Sequence, residues 1–187
     1  YLSKLKERID SYTLIDISPE MIKIAKQEDA GEIQYSCKVG SIYNLPFEAE
    51  YFDIILAIGL FEYLDDANSA LQNINKVAKP GCQVLISFPN IKSPMRRLSN
   101  MIYSLFKKPS PFASRMFSIS EVKMMVSALN FKIVDVKGYN AQLIPFPLIW
   151  KIPKFSYYFA VILEPLLNKI GRMWGTGFIM KLQKSNA

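Results

Sequence analysis

The stretch Leu14-Ile15-Asp16-Ile17-Ser18-Pro19-Glu20 ends an apolar strand on a carboxylate and begins a helix at once. An acidic side chain at the carboxyl end of a strand lies where open α/β sheets bind ligands, and its oxygens can accept hydrogen bonds from both hydroxyls of a ribose. The chemistry expected of Asp16 is therefore recognition of a nucleoside. A surface Asp beside a capped helix is the competing reading, because a strand-to-helix turn on its own assigns no function.

The residues this chain lacks narrow the chemistry further. Its 187 residues include no histidine, which excludes a Ser-His-Asp or Cys-His machine and any His-ligated metal site within the chain. Cys37 and Cys82 have neither CxxC nor metal-ligand spacing, so no metal is expected, and a reducing cytoplasm suits them. The net charge of +7 and pI near 9.3 come from basic residues spread along the chain, so no specific nucleic-acid partner is expected. No uncharged apolar run reaches the ~18 residues that a spanning helix needs.

The elements that must position Asp16 follow from periodicity. Ser18 can cap a helix, with Pro19 in its first turn and Met21, Ile24 and Ala25 on one buried face. Tyr51 to Gly59 is a continuous apolar run, which predicts a central parallel strand covered on both faces. Asp65 or Asp66 can cap the next helix, where Ala67, Leu71, Ile74 and Ala78 form a stripe that Pro80-Gly81 stops. Gln83 to Phe88 reads as the next buried strand.

Ser118-Ile119-Ser120-Glu121 is a capping-box sequence followed by Val122, Met125, Val126 and Leu129 at helical spacing, with Asn130 able to close the helix in a left-handed cap. Phe131 to Val136 and Gly177 to Leu182 read as strands. The alternation predicts a single α/β domain over 1–187 with a doubly wound sheet. Two segments, 89–117 and 139–174, fall outside it as insertions. The first predicts a helix with Met95, Leu98, Ile102, Leu105 and Phe106 inward and Arg96, Arg97, Lys107 and Lys108 outward.

With Asp16, Gly40-Ser41-Ile42-Tyr43-Asn44-Leu45-Pro46-Phe47, the strand Phe52 to Gly59 followed by Glu62-Tyr63-Leu64, and Lys79-Pro80-Gly81 in that order, the chain resembles a class I S-adenosylmethionine-dependent methyltransferase. The type 11 small-molecule branch is the nearest type. The resemblance covers Tyr1 to about Val136, and Gly175 to Lys184 is similar to the family's last antiparallel strand. It implies a Rossmann-like, mostly parallel sheet with an antiparallel C-terminal strand pair, and S-adenosylmethionine as cofactor. Asp16 would then bind the ribose hydroxyls and Ile17 would lie against the adenine, with Ser41 and Ile42 at the adenine edge and Ile58 and Gly59 beside the methionine part.

The sequence departs from the family in several places. Ser41 stands where an acidic residue often accepts from the adenine amino group, Tyr63 stands where many relatives carry histidine, and Cys82 replaces a second glycine. The family's first strand and glycine-rich loop have no counterpart here, and Tyr1 to Ile9 resembles the helix after that loop, so an N-terminally incomplete copy is expected.

Methyl transfer from a sulfonium is an in-line displacement on an activated carbon, so alignment can supply most of the catalysis without imidazole. A hydroxyl acceptor would still use a base, for which the motif position offers Glu62 or Tyr63. The aromatic stretch 143–159 could close the core, line an acceptor pocket, or lie on a membrane face with Lys151 and Lys154 at the headgroups. The expected activity is methyl transfer to a small-molecule or lipid-like acceptor, in the cytoplasm or peripherally at a membrane. Two other classes compete with it: a non-catalytic degenerate module that binds a partner or membrane surface, and a nicotinamide-dependent oxidoreductase. The last leaves Glu62-Tyr63-Leu64 and Lys79-Pro80-Gly81 unexplained.

Overall fold

The computed structural model describes residues 9–27, 34–106, 115–141, 158, 162 and 175–186. They gather into two compact units, Tyr1–Glu48 and Ala49–Ala187. The expected helix at Tyr1 to Ile9 and the aromatic stretch at 143–159 lie almost wholly outside the described residues.

In the first unit β1 (Ser11–Asp16) and β2 (Gln34–Val39) run parallel, with Asp16 opposite Val39. Between them lies α1 (Pro19–Ala25), capped by Ser18, whose hydroxyl accepts the Met21 N–H at 3.3 Å. The expected apolar face is rotated: Ile22 is buried, whereas Met21 and Ile24 are exposed. A seven-residue helix makes two turns, so very few of its positions can meet the strand pair. Its C-terminal end is fixed by Tyr35, whose hydroxyl donates to the Ala25 carbonyl at 3.1 Å.

The second unit is built on a four-stranded sheet of β3 (Phe52–Ala57), β4 (Ala78–Pro89), β5 (Phe131–Ala141) and β6 (Gly175–Lys184) in the order β3-β4-β6-β5. β3 and β4 are parallel, and β6 runs antiparallel to both β4 and β5. Parallel pairs with helical connections, closed by an antiparallel C-terminal pair, give the Rossmann-like α/β fold that the sequence led us to expect.

One expectation for β3 needs correction. It is an edge strand of this sheet, and Ile54 and Leu56 are exposed instead of covered on both faces. Among the described residues β3 pairs only with β4, so its continuous apolar sequence meets packing on one side.

The helices show which local signals hold. Asp66 caps α2 (Ala67–Val77), its carboxylate accepting from the Ser69 N–H at 3.1 Å and from the Ser69 hydroxyl at 2.6 Å. Ala67, Ala70, Leu71, Ile74 and Val77 are buried along one face of α2, close to the expected stripe. The helix stops at Val77, and Pro80-Gly81 belongs to β4, where Gly81 takes a φ of 78°. The capping box of α4 (Ile119–Ser127) is complete, and Asn130 has the left-handed φ of 58°. Phe88 centres the core, with ring centroids 4.7 Å from Phe61, 5.2 Å from Phe117 and 5.5 Å from Phe178.

α3 (Pro94–Leu105) departs in part from its sequence reading: Met95 and Ile102 are half-buried and Arg97 is exposed as expected, but other positions are exchanged. Arg96 faces inward and donates through Nη2 to the Thr176 carbonyl at 3.0 Å, while Leu98, Leu105 and Phe106 are exposed. Buried carbonyls of β6 require donors, and the first turn of α3 meets that demand together with Asn90. The Asn90 N–H donates to Thr176 O and its Nδ2 to Gly175 O, both at 3.0 Å. Satisfying these groups outweighs the gain from turning a few more apolar side chains inward.

Cys82 gives a direct check on the β4 core. Burial, reinforced by the Asp53 charge, pushes its thiol up to about 11. At pH 8 an iodoacetamide time course should modify Cys82 only after denaturant is added, because the thiolate is the nucleophile. Rapid alkylation of Cys82 in the native protein would contradict the buried placement.

Candidate functional site

At the carboxyl end of β1 the Asp16 Oδ1 accepts the Ser18 N–H at 2.8 Å, so the carboxylate is tied into the turn that starts α1. The same backbone turn leaves Ile17 largely in solvent, at 75% exposure. Gly40 follows β2 and donates its N–H to the Asp16 carbonyl at 3.0 Å, which brings the next residues to the same end of the strand pair. Ser41 and Asn44 bridge a tight turn, and the Ser41 hydroxyl accepts the Tyr43 N–H at 3.2 Å. The first unit therefore gathers Asp16, Ile17, Ser41 and Ile42 at the ends of two adjacent strands.

The second unit holds the other expected residues at the end of β3. Gly59 has a φ of 69°, a left-handed conformation that favours glycine, and its N–H donates to Ser87 Oγ at 2.8 Å. Among the described residues a Cβ placed there would meet nothing nearer than Glu62 Oε1 at 4.0 Å, so these leave space beside the backbone. Ile58 next to it is exposed. Taken separately, the first unit presents a carboxylate at a strand end, and the second presents a left-handed glycine turn beside an exposed aliphatic side chain.

The two candidate bases separate sharply. Both sit on the short 3-10 turn Phe61–Tyr63, whose Phe61 is buried in the core. Tyr63 is 77% exposed, whereas Glu62 turns back over Gly59 and its Oε2 is buried with no hydrogen-bond partner among the described residues. A buried carboxylate oxygen without a donor is costly. Of the two, Glu62 is the side chain turned inward and Tyr63 the one turned to solvent.

Sequence reasoning missed two further polar groups near this carboxylate. Arg96, assigned to the outer face of α3, lies inside, where burial lowers its pKa and the charges of Tyr139 and Glu62 oppose that shift. Tyr139, assigned to the start of an insertion, belongs to β5, and a Cβ on Gly177 of β6 would collide with its ring. The ring thus crosses the bare backbone of Gly177, and its hydroxyl is hydrogen-bonded to Ser87. Burial raises the Tyr139 pKa, the Ser87 bond lowers it and the Glu62 charge raises it again, so the phenol stays protonated at neutral pH. A glycine opposite an aromatic residue in the terminal strand pair was the available signal.

The fold and the order of these motifs are similar to those of class I S-adenosylmethionine-dependent methyltransferases, a class whose cofactor is S-adenosylmethionine. A methyltransferase-domain family model matches residues 1–86.

Over 124 residues it is 32% identical to a demethylmenaquinone methyltransferase of Staphylococcus epidermidis, a match covering 64% of this chain and 50% of that protein. The chain thus spans about half the length of the curated relatives it matches. A methyltransferase structure from Methanosarcina mazei aligns with a TM-score of 0.62 at 16% identity, over 95% of this chain and 83% of that one. The cyclase SpnF aligns with the same TM-score of 0.62 at 13% identity, over 100% of this chain and 70% of that one. One fold thus serves different reactions, and activity must be argued from the site.

Proposed function

We propose that this chain serves S-adenosylmethionine-dependent methyl transfer to a small-molecule or lipid-like acceptor, acting as one domain, with Asp16 and Gly59 on the cofactor side. The observation that carries this reading is the end of β3, where, among the described residues, left-handed Gly59 leaves space beside the backbone and Glu62 presents a buried, unpartnered carboxylate oxygen. When bound, the cofactor supplies a methyl group already activated as a sulfonium. The chain's own residues bind and orient: Asp16 accepts from the ribose hydroxyls, Ile17, Ser41 and Ile42 border the adenine, and Ile58 and Gly59 flank the methionine part. Glu62, not Tyr63, is the residue proposed to receive a proton from the acceptor.

The relative's name, demethylmenaquinone methyltransferase, supports an acceptor of the small or lipid-like kind. Cytoplasmic action with peripheral contact at a membrane is part of the same proposal. Among the described residues no helix is long and apolar enough to cross a membrane. Isothermal titration of the full-length protein with S-adenosylhomocysteine tests the reading, and micromolar binding is expected. Failure to bind at millimolar ligand would overturn it.

A further inference from the structure

We infer that Glu62, Arg96 and Tyr139 form the polar end of the methyl-acceptor site, and that the acceptor it fits bears an acidic ring hydroxyl. This rests on the methyltransferase reading and adds to it two side chains and an acceptor chemistry.

The three groups come from the turn after β3, the first turn of α3 and the far end of β5. The fold itself brings them together. Gly59 ties the β3 turn to Ser87 of β4 through a 2.8 Å hydrogen bond, and Ser87 is fully buried. Tyr139 reaches the same Ser87 hydroxyl from two strands away, passing over Gly177, where any side chain would block it. Arg96 is fastened through Nη2 to the Thr176 carbonyl, one residue before Gly177. Its guanidinium and the Tyr139 hydroxyl both lie within electrostatic reach of Glu62.

Each group has a distinct task. Glu62 Oε2, buried and without a donor among the described residues, is placed to accept a hydrogen bond from a hydroxyl. The Arg96 guanidinium lies within electrostatic reach of Glu62 and attracts its side chain, which makes it a positioning residue. Tyr139 remains a neutral phenol that can donate to an oxygen gaining charge. In the step proposed, the hydroxyl proton passes to Glu62 as the oxygen lone pair forms the bond to the methyl carbon. The carbon–sulfur bonding pair returns to sulfur, which leaves as a neutral thioether. A carboxylate can take this proton readily only from a hydroxyl that is itself acidic, so phenols and enols fit and simple alcohols do not.

The test uses the full-length protein with S-adenosylmethionine and two probe acceptors, 4-nitrophenol and 4-methylphenol, and follows S-adenosylhomocysteine formation. With the weakly acidic 4-methylphenol, Glu62→Gln should lower the rate about 100-fold or more. With 4-nitrophenol, both probes being assayed at a pH well above its own pKa so that it is almost wholly ionised, the loss should shrink at least tenfold, because almost no proton remains to be taken. Arg96→Gln should follow the same pattern and Arg96→Lys should restore most of the rate, whereas a purely structural arginine would affect both probes equally. S-Adenosylhomocysteine affinity should stay within about twofold in every variant, which also certifies folding.

Equal losses on the two probes, or no loss in Glu62→Gln, would overturn the inference. So would a wild-type protein that binds S-adenosylhomocysteine and methylates neither phenol. A wild-type protein that does not bind S-adenosylhomocysteine would overturn the methyltransferase reading instead.

Discussion

Phe88→Ala should lower the unfolding free energy of the second unit by ~3–5 kcal/mol, the largest single-site loss of stability expected in this chain. Phe88 is fully buried on β4 and touches the rings of Phe61, Phe117 and Phe178, which come from the β3 turn, the start of α4 and β6. Removing it opens a cavity where four segments meet and deletes several aromatic contacts at once. A domain of ordinary stability has only ~5–15 kcal/mol to lose, so the variant should be marginal. Urea unfolding monitored by circular dichroism gives the measurement, with Phe88→Leu expected to cost less than half as much. A midpoint unchanged in Phe88→Ala would mean that the four rings do not form the core.

The effect should also extend to the site. Ser87 immediately precedes Phe88 and holds both Gly59 and Tyr139, so a loosened β4 would release the turn that carries Glu62.

Asp16→Ala should weaken S-adenosylhomocysteine binding at least tenfold in the full-length protein. Two hydrogen bonds from ribose hydroxyls to a carboxylate, at ~1.5–3 kcal/mol each, make even a tenfold loss a modest expectation. The local geometry supplies a control. Asp16 Oδ1 also accepts the Ser18 N–H at 2.8 Å, so alanine removes both the ligand contact and the turn at the start of α1. Asp16→Asn keeps an oxygen for Ser18 while removing the charge. Both variants should therefore bind weakly, whereas only Asp16→Ala should lose stability, by ~1 kcal/mol. Calorimetric titration alongside thermal unfolding separates the two effects. An unaltered dissociation constant in both variants would remove Asp16 from the site.

Much of this protein was legible in its sequence because the signals were local. Ser18, Asp66 and Ser118 cap helices as their types and spacing required, Asn130 adopts the left-handed turn, and the alternation of strand and helix gave the Rossmann-like class. Capping and turn geometry depend on a few consecutive residues, and a chain that satisfies them locally does so in any tertiary setting. The order of motifs around Asp16, Ser41 and Gly59 likewise carried the resemblance to methyltransferases, since motif order is a property of the chain itself.

What the sequence left undecided were choices between faces, which depend on what lies opposite. The apolar spacing of α3 called for Leu98 and Leu105 inside, yet the β6 carbonyls needed donors and Arg96 took that side. Glu62 and Tyr63 were equal candidates as neighbours in sequence, and the buried Phe61 set the turn so that one faces Gly59 and the other faces water. Tyr139 reaches Ser87 only because β5 runs on past Val136 and lies beside a glycine of β6 that it meets through the strand register. Burial of a polar group is settled by partners far along the chain, so only the tertiary structure could decide which charged residues surround the site.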